Sequence, residues 1–195
     1  MKTKAELRRE AAQKRSRMQP EEREKASALI AQRLFSMKEW QEAERVFLYY
    51  GCGDEVKTEE IIDSALSSGK QVFLPKVTSS EKMVFIRVTS RAEGVIPGAY
   101  GIPEPEDKGL YEEDPPDLIV IPCVAVDEKG SRIGHGKGYY DRWLRGHEEL
   151  TRVCLAFECQ IVDCFRPDDT DIRMDAVLTE KRLFTVESAE YERTD

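Results

Sequence analysis

The run Arg132-Ile133-Gly134-His135-Gly136-Lys137-Gly138-Tyr139-Tyr140-Asp141-Arg142 places three alternating glycines around one lysine. Glycines in such a loop let backbone N–H groups come close to an anion, and a lysine supplies a compact positive charge. Ahead of it, the apolar, β-branched stretch from Asp117 to Val126 reads as a buried strand, and the residues from Tyr139 onward read as a helix. Strand, glycine loop and helix in that order form a cradle for phosphate, because the first turn of a helix adds unpaired donors and partial positive charge. Glycines between a strand and a helix also make plain turns, so this reading stands beside that one. Two familiar loops are excluded. Lys137 is followed by Gly138 instead of Ser or Thr, and a dinucleotide fingerprint needs its third glycine one position later than Gly138.

Local charge favours the anion. Between Asp127 and Arg145 five bases face three acids, in a chain whose formal net charge is −8. An acidic protein repels a polyanionic ligand at long range, and a local basic concentration reverses that. The alternative is that these bases lie on a solvated helix face.

Together with other blocks, the run from Arg132 to Arg142 resembles the signature of the 5-formyltetrahydrofolate cyclo-ligase family, also called 5,10-methenyltetrahydrofolate synthetase. Lys4-Ala5-Glu6-Leu7-Arg8 resembles that family's opening basic helix, and Tyr50 to Glu55 followed by Val56-Lys57-Thr58-Glu59-Glu60 resembles its folate-side motif. Leu74-Pro75-Lys76-Val77, Tyr100-Gly101-Ile102-Pro103-Glu104-Pro105 and Met174-Asp175-Ala176-Val177-Leu178-Thr179 are similar to further blocks, so the likeness runs from about residue 4 to about residue 180. It implies closure of 5-formyltetrahydrofolate, with or without a polyglutamate tail, to 5,10-methenyltetrahydrofolate at the expense of ATP, with Mg²⁺.

The same resemblance implies roles. ATP falls to Lys4, Arg8 and the loop Arg132, Ile133, Gly134, His135, Gly136, Lys137, Gly138, Tyr139 and Tyr140, with Lys137 and Arg132 as the catalytic cations. Folate falls to Tyr50, Glu55, Tyr139 and Tyr140, and magnesium to Asp141 and Asp171. Thr170-Asp171 stands where many members have His-Asp, so the carboxylate is kept and its neighbour is not. His135 is not assigned as a base.

The elements that must hold these residues are legible in outline. Residues 3 to 18 read as a charged surface helix, and Pro20 opens a second helix with Leu29, Ile30, Leu34 and Met37 as core positions. Residues 46–50 are strand-like, and alternation then puts only one of Tyr49 and Tyr50 on the ligand side. Thr58 reads as a helix cap, followed by an apolar face of Ile61, Ile62, Ala65 and Leu66 and a stop at Gly69. Residues 72–74 and 84–88 read as strands. The stretch from Arg91 to Asp117 reads as a long loop forming a lip over the ligand, and residues 163–175 as an acidic turn. Helices separating short apolar strands predict an α/β fold: a single three-layer αβα domain over residues 1–195, with a mainly parallel sheet of about six strands.

Composition narrows the classes. No stretch has the eighteen or so apolar residues of a membrane span, and Glu6 and Glu10 interrupt the basic start that a transit peptide would need. Cytoplasmic residence is the expectation. The five cysteines form no Cys-x-x-Cys pair and read as reduced thiols, and two histidines are too few for a histidine-rich metal site. A sequence pI near 5.1 and the lack of a basic stripe speak against nucleic acid. A monomer suffices for the expected reaction. Two rivals remain, a sugar-phosphate isomerase that turns over without ATP and a non-catalytic nucleotide-binding module.

Overall fold

The computed structural model describes residues 2–91, 95–98, 103–106, 111–112, 114–147 and 149–186. The chain begins with α1 (Lys4–Ser16), α2 (Pro20–Ser36), α3 (Lys38–Glu42), β1 (Arg45–Phe47) and α4 (Glu59–Ser67). There follow β2 (Gln71–Val77), β3 (Met83–Val88), β4 (Val95–Pro97), β5 (Pro103–Pro105), β6 (Leu118–Pro122), β7 (Ala125–Val126) and β8 (Arg132–Ile133). The last elements are α5 (Tyr139–Leu144), β9 (Thr151–Leu155), β10 (Ala176–Leu178) and β11 (Leu183–Thr185).

Seven strands make the central sheet in the order β11-β10-β9-β6-β1-β2-β3. The five inner strands pair in parallel, and the edge strands β3 and β11 run antiparallel to their neighbours. Period-two alternation divides the buried residues between two faces. Val46, Leu48, Val72 and Val120 meet α2, α3 and α4, whereas Phe47, Phe73, Phe85 and Ile121 meet α5 on the other side. Trp143 of α5 packs among these aromatics, tilted against Phe47 at 5.5 Å between centroids and edge-on to Phe85 at 5.0 Å, which fixes the short helix on the sheet. An α/β architecture with a mostly parallel sheet is therefore as expected, with one strand more than the six or so anticipated.

Several local expectations change. The stretch from Asp117 to Val126 is not one strand: β6 ends at Pro122, and β7 leaves the sheet to pair with β8 in a separate two-stranded ribbon. Proline offers no N–H to extend a ladder. The strand that feeds the glycine loop is thus β8, outside the main sheet. Leu29 is 45% exposed, because the buried face of α2 is centred on Ala26, Ile30 and Leu34 and Leu29 points away from it. The segment after Arg91 contains the antiparallel pair β4–β5, and Tyr111 bridges to Ile86. Tyr100, Gly101 and Ile102 lie outside the described residues. No helix among the described residues is long and apolar enough to cross a membrane.

Candidate active site

A cavity of about 900 Å³ opens between α1, the glycine loop, the start of α5, the chain beyond β1 and the β2–β3 turn. The structure brings the sequence-predicted residues together in its wall: Lys4 and Arg8 from α1, Tyr50 and Glu55 from the β1–α4 connection, Arg132 through Asp141, and Asp171. Pro103 and Glu104 of β5 also border it, which puts part of the expected lip at the cavity.

α1 reaches the cavity because its start is fixed. Thr3 and Glu6 form a reciprocal capping box, and Leu7 and Ala11 pack on Ala125, Ile133 and Phe165. Lys4 and Arg8, one turn apart, then both border the cavity, Lys4 beside Asp168 and Asp171 and Arg8 beside the loop. The Arg8 Nε donates to the Gly134 carbonyl at 2.9 Å. Gly136 and Gly138 have φ of 90° and 66°, the left-handed region in which glycine carries no steric penalty. Each loop glycine also has an arginine beside it. A Cβ at Gly134 would stand 2.8 Å from Arg132 Nη1, one at Gly136 3.9 Å from Arg8 Nη2, and one at Gly138 2.9 Å from Arg142 Nη1.

The acids of the wall are engaged. Asp141 Oδ2 accepts from Arg132 Nη2 at 2.9 Å, and its Oδ1 accepts from the Ile172 N–H at 3.3 Å. Asp171 pairs with Lys4, which also donates to Asp168 at 2.6 Å. Burial opposes the charge on Lys4, yet the hydrogen bonds to the two aspartates outweigh it and hold the ammonium above its ordinary pKa. Arg8, Lys137, Arg142 and Arg145, by contrast, have no carboxylate partner among the described residues. Among the described residues no three His, Cys, Asp or Glu side chains gather as a resident metal cage. Asp141 and Asp171 are nevertheless hard oxygen donors beside a basic loop, a set that suits a magnesium ion arriving on phosphate, which needs only one or two carboxylates.

The wall that carries Tyr50 and Glu55 is held from behind by the buried Thr58. It stands at the head of α4 but makes no capping bond there; its Oγ1 donates to the Tyr49 carbonyl at 2.6 Å and accepts from the Gly51 N–H at 2.9 Å. This clamp bends the chain after β1, so Tyr49 and Tyr50 both border the cavity. Alternation fails for them because β1 has already ended at Phe47. Tyr50 accepts a hydrogen bond from Arg91, itself paired with Asp63. Glu55 is buried and accepts from the Cys52 N–H at 3.2 Å, and its Oε1 lies 3.1 Å from His135 Nε2. Burial alone would raise its pKa, but the bonds from His135 and Cys52 prevail and hold the carboxyl below its ordinary value. Burial pushes the neighbouring Cys52 thiol up to about 11, helped by the Glu55 charge.

Comparison with known proteins decides the family. The family model described as the 5-formyltetrahydrofolate cyclo-ligase family matches residues 1–180. The chain belongs to the 5-formyltetrahydrofolate cyclo-ligase family. A mouse 5-formyltetrahydrofolate cyclo-ligase is 33% identical over 186 residues, covering 89% of this chain and 92% of that one. A probable cyclo-ligase of Caenorhabditis elegans is 33% identical over 173 residues, covering 82% and 84%. Among solved structures, Aquifex aeolicus 5,10-methenyltetrahydrofolate synthetase matches with a TM-score of 0.82, 33% identity and 98% of both chains.

In this cyclo-ligase the cavity also contains residues that the sequence reading did not assign. Tyr49, Arg142, Arg145 and Asp168 all border it. Arg142 was visible as the last residue of the glycine-loop run and as one base of a local excess, Arg145 only as part of that excess, and Asp168 only as one acid in a turn. The signal that could have separated them is spacing, since Arg142 lies on α5 and Arg145 caps its C-terminus three residues later.

Proposed function

We propose that the cavity carries out ATP-dependent cyclisation of 5-formyltetrahydrofolate through a phosphorylated formyl oxygen. A formamide oxygen departs poorly, so the formyl oxygen attacks the γ-phosphorus and the bond to ADP breaks. N10 then attacks the formyl carbon, its proton passes to solvent, and the C–O bond breaks to release phosphate and leave the 5,10-methenyl cation. Phosphoryl transfer needs alignment and positive charge more than a protein nucleophile.

One observation carries this reading: four cations of the wall, Arg8, Lys137, Arg142 and Arg145, lack a carboxylate partner among the described residues, in a chain of net charge −8. A triphosphate is a fitting counter-charge. In this reading Lys4, Arg8 and the loop from Arg132 to Tyr140 bind ATP, with Lys137 and Arg132 facing the transferred group. Magnesium, arriving on the nucleotide, would be held by Asp141 and Asp171 and would withdraw charge from the phosphate oxygens. Tyr50, Tyr139 and Tyr140 offer aromatic faces to the pterin, and Glu55 accepts from its ring donors once it exchanges His135 for substrate. Cytoplasmic residence goes with a reaction that draws on ATP.

The test mixes protein, Mg-ATP and 5-formyltetrahydrofolate and follows the absorbance of the methenyl product, omitting each component in turn. Product formation that needs all components supports the reading. Nucleotide binding without product, or turnover without ATP, overturns it.

A further inference from the structure

Arg142 is held in an unusual way for an exposed arginine. Its Nε donates to the Glu81 carbonyl in the β2–β3 turn at 2.9 Å, and its guanidinium lies 5.2 Å from the centre of the Tyr139 ring. Tyr139 reinforces the same docking, its hydroxyl donating to the Ser79 carbonyl at 3.2 Å. These contacts fix the side chain without using its terminal nitrogens. Nη1 occupies the space that a Cβ at Gly138 would approach, 2.9 Å away, so the guanidinium lies against the α5 end of the glycine loop and borders the cavity. No carboxylate pairs with it among the described residues, unlike Arg132 on the same loop, which Asp141 neutralises.

A fixed guanidinium with free terminal donors, facing a cavity, is suited to bind an oxyanion, since its fork matches carboxylate or phosphate oxygens and little side-chain freedom is left to lose. We propose that Arg142 is a further anion-binding residue of this cavity, its terminal nitrogens holding an oxyanion of a bound ligand at the α5 end of the glycine loop. The proposal rests on the cyclisation reading for the ligands. Both bring oxyanions, ATP its phosphates and the folate its glutamate carboxylates.

The experiment uses the full chain and two probes that need no turnover, inorganic tripolyphosphate and p-aminobenzoylglutamate, with dissociation constants from calorimetry at low salt. Arg142→Met should weaken one probe about tenfold, and Arg142→Lys should recover part of that loss. Weakening of tripolyphosphate identifies the nucleotide as the source of the oxyanion, and weakening of p-aminobenzoylglutamate identifies the folate. The Michaelis constant of the corresponding substrate should rise with kcat little changed. If both probes bind Arg142→Met as they bind the wild type, or if Arg142→Lys is no better than Met, the residue only docks α5 on the turn and the proposal fails. Should Arg142→Met not fold, Arg142→Gln removes the charge while keeping a donor for Glu81, and the same two constants decide. Wild-type protein that forms no methenyl product would sink the cyclisation reading separately, since the calorimetry does not depend on it.

Discussion

Arg15 Nη2 lies 2.8 Å from Asp54 Oδ1, and this pair joins the helix that carries Lys4 and Arg8 to the turn that carries Glu55. Arg15 is buried, and its Nη1 also donates to the Cys123 carbonyl at 3.3 Å. Breaking such a pair from the acidic side leaves a desolvated cation behind. Asp54→Ala should therefore lose about 1–3 kcal/mol in denaturant unfolding, less than a fully buried pair would because Asp54 is partly exposed. It should also raise the Michaelis constant for the folate, since Glu55 loses its anchored neighbour. An unfolding midpoint equal to wild type would show that the pair holds nothing.

Lys137 is exposed and has no hydrogen bond or ion pair among the described residues, so its removal should spare the fold. Lys137→Ala is expected to lower kcat by about 100-fold or more, the scale for deleting one preorganised charge at a transition state. Near-normal ATP-dependent cyclisation by the folded variant would remove Lys137 from the chemistry.

Asp141→Asn should act twice. Arg132, with a side chain 4% exposed, loses the carboxylate that balances it, costing about 1–3 kcal/mol of stability. The magnesium concentration for half-maximal activity should also rise. A magnesium titration that superimposes on wild type would leave Asp141 only its structural task.

Because Glu55 is held below its ordinary pKa in the folded chain, its ionised form favours folding. That contribution is fully present above the ordinary glutamate range and is lost as pH falls through the depressed value. Glu55→Gln should make the acid limb of the stability–pH curve shallower, and should weaken folate binding at neutral pH. An acid limb unchanged in slope would mean that other carboxylates set it.

The sequence made most of the site legible and much less of its construction. The glycine loop, the basic α1 and the Tyr50–Glu55 motif are contiguous patterns, each readable from neighbours along the chain. The Pro20 start of α2 and the apolar face of α4 follow from local rules in the same way. What escaped depends on contacts between distant segments. Thr58 looked like a cap because caps are defined by the next three residues, whereas its partners are Tyr49 and Gly51 behind it. The glycines of the loop looked like room for a ligand's approach; the arginines beside them come from positions 8, 132 and 142 and meet only in the fold. The departure of β7 from the sheet depends likewise on pairing with β8, which no local propensity announces.

The Arg8 bond to the Gly134 carbonyl spans most of the chain, and the cavity draws its wall from Lys4 through Asp171. Such a binding site has no fragment in which it could preform. Ligand occupancy should consequently be felt as a rise in the melting temperature of the whole cooperative unit, with amide exchange slowed at α1 and at the glycine loop together.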